Sequence, residues 1–345
     1  MDEIDLLMNL IDIYSPTGDE SVAVAYLRSS MESLGYAASI DKAGNVIGTI
    51  GKGPKHLILL GHIDTVNGFI PARRDEEYIY GRGVVDAKGP LCAFVFAAIQ
   101  TKISPDWQIS VIGAVGEEGD SRGAKYLRDT LRPHMCIIGE PSHWDRITLG
   151  YKGSIWAQYT VQRPQVHSAA KEENACEAAV NFWKSLEAEI DIINTGRKKG
   201  FDQLTPRLYA MGSQTDGFLE TASLTFNLRL PVGLSIPEVI KMMQFLAVDA
   251  KLEIETGEPA YQADKNNPLV RAFLSAIRRN GGQPGFVLKM GTSDMNTVGP
   301  TWNCPIIAYG PGDSSLDHTP SERLPVNEYL KSIQILKDAI ESVIH

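Results

Sequence analysis

Cysteine is scarce in this chain, and so is positive charge. The four cysteines, Cys92, Cys136, Cys176 and Cys304, are spread over 345 residues. That spacing suits neither a disulfide frame nor a Cys-type zinc site, so they read as buried thiols of a cytoplasmic protein. Lysine and arginine total 33 against 42 acids, for a net charge of -9 and a pI near 5.4. An acidic balance argues against a nucleic-acid-binding surface. No apolar run approaches the roughly 20 residues that span a bilayer, which predicts no membrane partner. Met1–Asp5 carries three acids in place of the basic and apolar regions of a secretory leader. Internal repeats and low-complexity tracts are missing too. So are H-E-x-x-H and G-x-G-x-x-G, and Tyr80-Gly81-Arg82-Gly83 is discounted as a nucleotide loop.

What the chain does have is organised around residues 57–66, L-I-L-L-G-H-I-D-T-V. An unbroken apolar run predicts a strand buried on both faces of a helix-covered sheet. His62 and Asp64 follow it, two residues apart and so on one side of an extended chain. Helices are expected over 1–10 and 19–34, the second capped by Thr17 or Asp19 and ended by Gly35. Strands are expected over 37–41, 45–50, 109–115 and 135–138, and helices over 88–102 and 124–131. The pattern changes near Tyr151. Strand 154–162, helix 173–193, strands 207–213 and 219–230, helix 237–249 and strand 251–256 follow in β-α-β-β-α-β order, the split-βαβ arrangement. Helix 268–280, strand 304–309 and helix 326–344 close the chain. The fold class is therefore α/β: a mixed, helix-covered central sheet formed by 1–150 and 260–345, interrupted by an inserted α+β domain, 151–259.

Several of these strands end in acid or imidazole: His62 and Asp64, the pair Glu117-Glu118, Glu140, and His318 in a later loop. Asp86 sits just before a helix. Singly, each has an ordinary reading; a Glu-Glu pair is usually a solvated turn, and Asp86 is most simply an N-cap. Together they fall at one expected sheet edge, the usual place for a ligand crevice. Carboxylates packed side by side repel, and divalent cations remove that conflict. Zinc accepts imidazole and carboxylate donors, and paired ions activate water and polarise a carbonyl. One carboxylate must stay off the ions as general base, and the adjacent glutamates supply one ligand and one base.

In this order, H-I-D-T-V, Y-G-R-G-V-V-D-A-K-G, G-E-E-G, G-E-P-S and L-D-H-T-P resemble the di-zinc M20 metallopeptidase family of deacylases and carboxypeptidases. The resemblance covers essentially the whole chain. It implies two Zn²⁺ per subunit, with Co²⁺ as a substitute: His62, Asp86 and Glu140 on one, Asp86, Glu118 and His318 on the other. It implies Glu117 as general base, Asp64 orienting His62, and a cis peptide at Asp86–Ala87. It also implies a homodimer through the inserted domain, with His167 reaching the partner's active site. H-S-A-A-K (167–171) departs from the family by lacking a proline after this histidine.

Within the family, G-Y-K-G-S (150–154), F-N-L-R-L-P (226–231), K-M-G-T-S-D-M-N (289–296) and Y-G-P-G-D-S-S-L-D-H-T-P (309–320) are similar to hydrolases that free lysine from an amino-group carrier protein. Those enzymes are also described as N-acetyl-lysine deacetylases, and some release ornithine. This implies amino-acid biosynthesis, for lysine and arginine. Arg229 or Lys289 is the expected anchor for the substrate α-carboxylate, with backbone donors from Gly291-Thr292-Ser293. Lys88 is expected to neutralise acids near the site. The basic groups Arg73-Arg74 and Arg197-Lys198-Lys199 are candidates for steering an acidic carrier. The competing readings are a succinyl-diaminopimelate or acetylornithine deacylase, a broader peptidase, and a metal-binding scaffold without catalysis. The scaffold has no use for an unligated glutamate such as Glu117.

Overall fold

A computed structural model of the chain describes residues 1–198 and 200–345; Lys199, in the second basic group, lies outside the described residues. The chain forms two compact units. One comprises residues 1–150, 263–288 and 293–345, the other 151–262 with 289–292.

In the first unit, Lys55–His62 lies inside a mixed sheet. It pairs in parallel with Trp107–Ala114 on one side and Met135–Ile138 on the other. Ile306–Ala308 continues the parallel set beside Met135–Ile138. These four strands run the same way, so their carboxyl ends open on one edge, and the loops beyond them carry the candidate residues. Antiparallel strands flank the set, with Val46–Gly51 on Trp107–Ala114 and Ala37–Ile40 outside it. Leu57 through Leu60 are wholly buried, as a strand covered on both faces requires. Part of the cover is the helix Lys88–Gln100, buried continuously from Lys88 to Ala98. A helix that is apolar on every side belongs inside a protein, and this one packs against Val326–Ile344. Pro90 falls in its first turn, where the missing N–H is no loss.

Several expectations need correcting. The expected strand over 57–66 ends at His62; Ile63 keeps one backbone bond to Ala114, and Thr65 bridges instead to Pro16. Neither Thr17 nor Asp19 caps the second helix, Ser21–Ser33; Glu20 holds that position without a side-chain cap. Nor does Asp86 cap the helix Lys88–Gln100, where Ala87 precedes the first turn. Strands Arg146–Tyr151 and Gly285–Lys289 and helix Asp294–Trp302 lie outside the expected set. The helix is short and carries Pro300 inside it, which hides it from a periodicity argument. Of the cysteines, Cys92 and Cys136 are buried, but Cys304 is half-buried and Cys176 exposed. Cys176 lies in the first turn of Ala175–Ile193, off that helix's buried stripe.

The second unit is an antiparallel sheet in the order Thr205–Thr215, Leu219–Leu230, Gly153–Pro164, Lys251–Glu258. Alternate residues Ile155, Ala157, Tyr159 and Val161 share one core with residues of helices Ala175–Ile193 and Ile236–Ala247. Both helices therefore cover the same face. Phe182 stacks on Tyr159 with ring centroids 4.0 Å apart. Each helix starts in a capping box, Asn174 with Glu177 and Ser235 with Glu238. The H-S-A-A-K stretch thus precedes the helix. Among the described residues no helix is long and apolar enough to cross a membrane.

Candidate active site

His62 is the last residue of its strand and is 1% exposed. Its Nδ1 lies 3.0 Å from the Asp64 carbonyl oxygen. A carbonyl only accepts, so Nδ1 carries the proton and Nε2 faces the site. That Nε2 is 3.2 Å from Asp86 Oδ1. Asp86 is delivered by the turn Gly81–Val85, in which Gly83 has φ +83° and a Cβ would sit 2.8 Å from Thr65 Cγ2; only glycine fits there. The Asp86–Ala87 peptide is cis. The second carboxylate oxygen, Asp86 Oδ2, is 3.0 Å from His318 Nε2, which is also 3.0 Å from Glu118 Oε1. One carboxylate thus lies between two imidazoles, giving one oxygen to each.

The other glutamates complete the cluster. Donor atoms of His62, Asp86 and Glu140 lie within 4.8 Å of one another, as do those of Asp86, Glu118 and His318. A third such group is His62, Glu117 and Glu118, so proximity alone does not separate base from ligand in that pair. Asp64 arranges the pair from behind. Fully buried, it accepts the Glu117 N–H at Oδ1 and the Glu118 N–H at Oδ2, each at 3.1 Å. The Thr17 hydroxyl donates to Oδ2 at 2.7 Å. Gly116, at φ +78°, makes the turn that presents both N–H groups.

Burial and mutual repulsion dominate the electrostatics. Burial raises the pKa of Glu117 well above the carboxylate range; His62 opposes this, while Glu140 and Glu118 reinforce it. Burial, then the Asp86 charge, raises Glu140 and Glu118 as well. Burial also pushes Asp86 upward, but hydrogen bonds from His318 and His62 outweigh it and hold the carboxyl below its ordinary value. Hydrogen bonds to Asp86 and Glu118 lift His318 to about 10. A cluster that holds protons this tightly for want of positive charge fits divalent cations, and its nitrogen and carboxylate donors suit zinc.

The remaining expected residues have local contacts of their own. His167 is exposed in a loop of the second unit, its Nδ1 accepting the Ala169 N–H at 3.1 Å. Arg229 is half-buried on Leu219–Leu230, and its Nη1 is buried without a hydrogen-bond partner. Burial lowers its pKa. The Lys289 carbonyl accepts the Lys152 N–H. In Gly291-Thr292-Ser293, the Ser293 N–H is already bound to Asn296 Oδ1 at 2.9 Å in the cap of its helix. Lys88 Nζ donates to the carbonyls of Leu10 and Ile13, at 3.1 and 2.8 Å. Burial lowers its pKa to about 8. Arg73 stacks over Tyr80 at 3.4 Å, and Arg197 hydrogen-bonds the Ile193 and Asp202 carbonyls. Sequence reasoning missed Thr17, which bonds Asp64, Arg82, which bonds the Thr319 carbonyl beside His318, and Glu322, which accepts the Asp86 N–H. Thr17 had been read as a helix cap; Arg82 stood inside a quoted motif, and Glu322 carried no local signal.

Parallel strands ending in a shared imidazole–carboxylate cluster define a metallohydrolase. The chain belongs to peptidase family M20/M25/M40, whose pattern matches residues 58–342. It is 41% identical, over 99% of its length and 92% of the relative's, to a provisionally assigned LysW-lysine/LysW-ornithine hydrolase of Thermococcus kodakarensis. It is 39% identical to the LysW-lysine hydrolase of Deinococcus radiodurans, covering 99% of this chain and 96% of that one. An M20 family metallo-carboxypeptidase from Sulfolobus solfataricus shares the fold, with a TM-score of 0.82 at 17% identity and full coverage of both chains.

Proposed function

We propose that this chain is a two-metal amide hydrolase that releases lysine, and also ornithine, from the carrier protein LysW. The observation that carries the chemistry is the Asp86 carboxylate shared between His62 and His318, with oxygens 3.2 and 3.0 Å from the two imidazoles. The substrate rests on the LysW hydrolases to which the chain is about two-fifths identical along its whole length.

His62, Asp86 and Glu140 would hold one ion and Asp86, Glu118 and His318 the other, as Zn²⁺ with Co²⁺ as a substitute. When bound, such ions activate water and polarise the scissile carbonyl. Glu117 takes the proton from the attacking water and passes it to the departing α-amine, a role suited to a carboxylate that burial makes more basic. Asp64 keeps His62 in one tautomer and holds the Glu117-Glu118 backbone in place. Arg229, with its unpartnered Nη1, receives the α-carboxylate with Lys289, and Gly291 and Thr292 add backbone donors. The reading includes a homodimer acting in the cytoplasm, and the second unit supports the dimer. Its edge strand Thr205–Thr215 is paired on one side only and exposes Leu208, Tyr209 and Met211, a surface that invites a two-fold partner. His167 of each copy then serves the other's site as an oxyanion donor.

The test is metal-reconstituted protein assayed for the freed amino acid, lysine from LysW-lysine and N-acetyl-lysine and diaminopimelate from succinyl-diaminopimelate. Release from LysW-lysine that is lost on chelation and restored by Zn²⁺ or Co²⁺ is expected. Turnover of succinyl-diaminopimelate with none of the lysine conjugates overturns the substrate reading.

A further inference from the structure

Arg82 and Glu322 form a buried ion pair, Nη1 to Oε2 at 2.9 Å, with side chains 9% and 1% exposed. Taking two charges out of water is costly, and apolar residues of similar size often fold as well. A pair kept under those conditions calls for a purpose beyond stability.

Its remaining hydrogen bonds supply one. Glu322 Oε1 accepts the N–H groups of Val85 and of Asp86 itself, at 2.9 and 3.2 Å. Arg82 Nη1 also donates to the Thr319 carbonyl at 3.2 Å, and Nε to the Gly68 carbonyl at 2.9 Å. The pair therefore fastens together the stretch that ends on Asp86, the loop that begins with His318, and the segment leaving Asp64. The two imidazoles need this unequally. His62 sits on a central strand and is 1% exposed, so packing fixes it. His318 is 51% exposed on a loop, with φ +62°, so its place depends on that loop and on its contacts with Asp86 and Glu118 rather than on packing.

We infer that Arg82 and Glu322 are positioning residues. They hold Asp86 and His318 at the separation that lets them share a divalent cation with Glu118. This rests on the two-ion centre proposed above, and the measurement separates the two ideas. Full-length, metal-free protein is titrated with CoCl₂ and followed by the visible absorption of bound cobalt and by calorimetry. The wild type takes up two ions in steps, and His318→Ala identifies the step that belongs to the His318 set. Glu322→Gln keeps an oxygen for the backbone N–H groups but removes the charge facing Arg82. It is expected to weaken the His318-set step by about 10- to 100-fold, the usual range for partners behind metal ligands. The other step stays within about threefold. Arg82→Lys keeps a cation but not the forked donors; it shifts the same step in the same direction by less, and it decides the matter if Glu322→Gln does not fold. Unchanged steps in folded variants overturn the inference, and so does equal weakening of both, the mark of general loosening. A wild type that binds fewer than two ions overturns the two-ion centre itself.

Discussion

Asp64 allows the cleanest perturbation, because Asp64→Asn changes its hydrogen bonding while keeping its shape. Donors point at both carboxylate oxygens: the Glu117 N–H at Oδ1, and the Glu118 N–H with the Thr17 hydroxyl at Oδ2. The Thr17 hydroxyl can turn and accept instead; a backbone N–H cannot. Whichever way the new amide lies, its NH₂ faces the N–H of one of the two glutamates, donor against donor. Asp64 is fully buried, so water does not relieve the conflict. A hydrogen bond to a charged group is worth ~1.5–3 kcal/mol. At ~1.4 kcal/mol per tenfold, losing one and displacing the Glu117-Glu118 turn lowers kcat/KM by roughly 10- to 150-fold. Cobalt affinity should fall as well, mainly in the step that uses Glu118. The assay pairs steady-state lysine release with a cobalt titration, on protein whose circular dichroism matches the wild type. Wild-type kinetics and metal binding in folded Asp64→Asn would refute the reasoning, because the turn would then hold its place without that carboxylate.

The other expectations separate roles that proximity leaves mixed. Glu117→Ala should retain both metals and lose about 10²–10⁴-fold in turnover, the range of general-base contributions, whereas Glu118→Ala should lose one metal. Elemental analysis reads both, and zinc missing from Glu117→Ala would move that residue among the ligands. For His167, the measurement is subunit mixing. His167→Ala and Glu117→Ala, each nearly inactive, should on exchange give mixed dimers with one intact site and about half the wild-type activity per dimer. Demonstrated exchange without recovery would place the histidine in its own subunit or outside the chemistry.

The sequence by itself determined the architecture and picked out the imidazoles and carboxylates whose donor atoms the structure clusters, His62, Asp86, Glu117, Glu118, Glu140 and His318. An apolar run ending in His62 suits a buried strand, and Lys55–His62 is one. The acids after neighbouring strands reach the same edge because Lys55–His62, Trp107–Ala114, Met135–Ile138 and Ile306–Ala308 are parallel. Strand periodicity and order were enough to read the split-βαβ unit, down to the bounds of Leu219–Leu230. Short or Pro-bearing elements such as Asp294–Trp302 escaped, since a pattern needs several turns to declare itself. What only the tertiary structure decided is how the site is held. Thr17 looked like a helix cap, yet it donates to Asp64, 47 residues away. Arg82 and Glu322, 240 residues apart, become partners only when two loops meet at the sheet edge. Local sequence carries periodicity, which covers a few turns or one strand. Pairing between buried polar groups depends on which distant loops the fold brings together, and no local pattern encodes that.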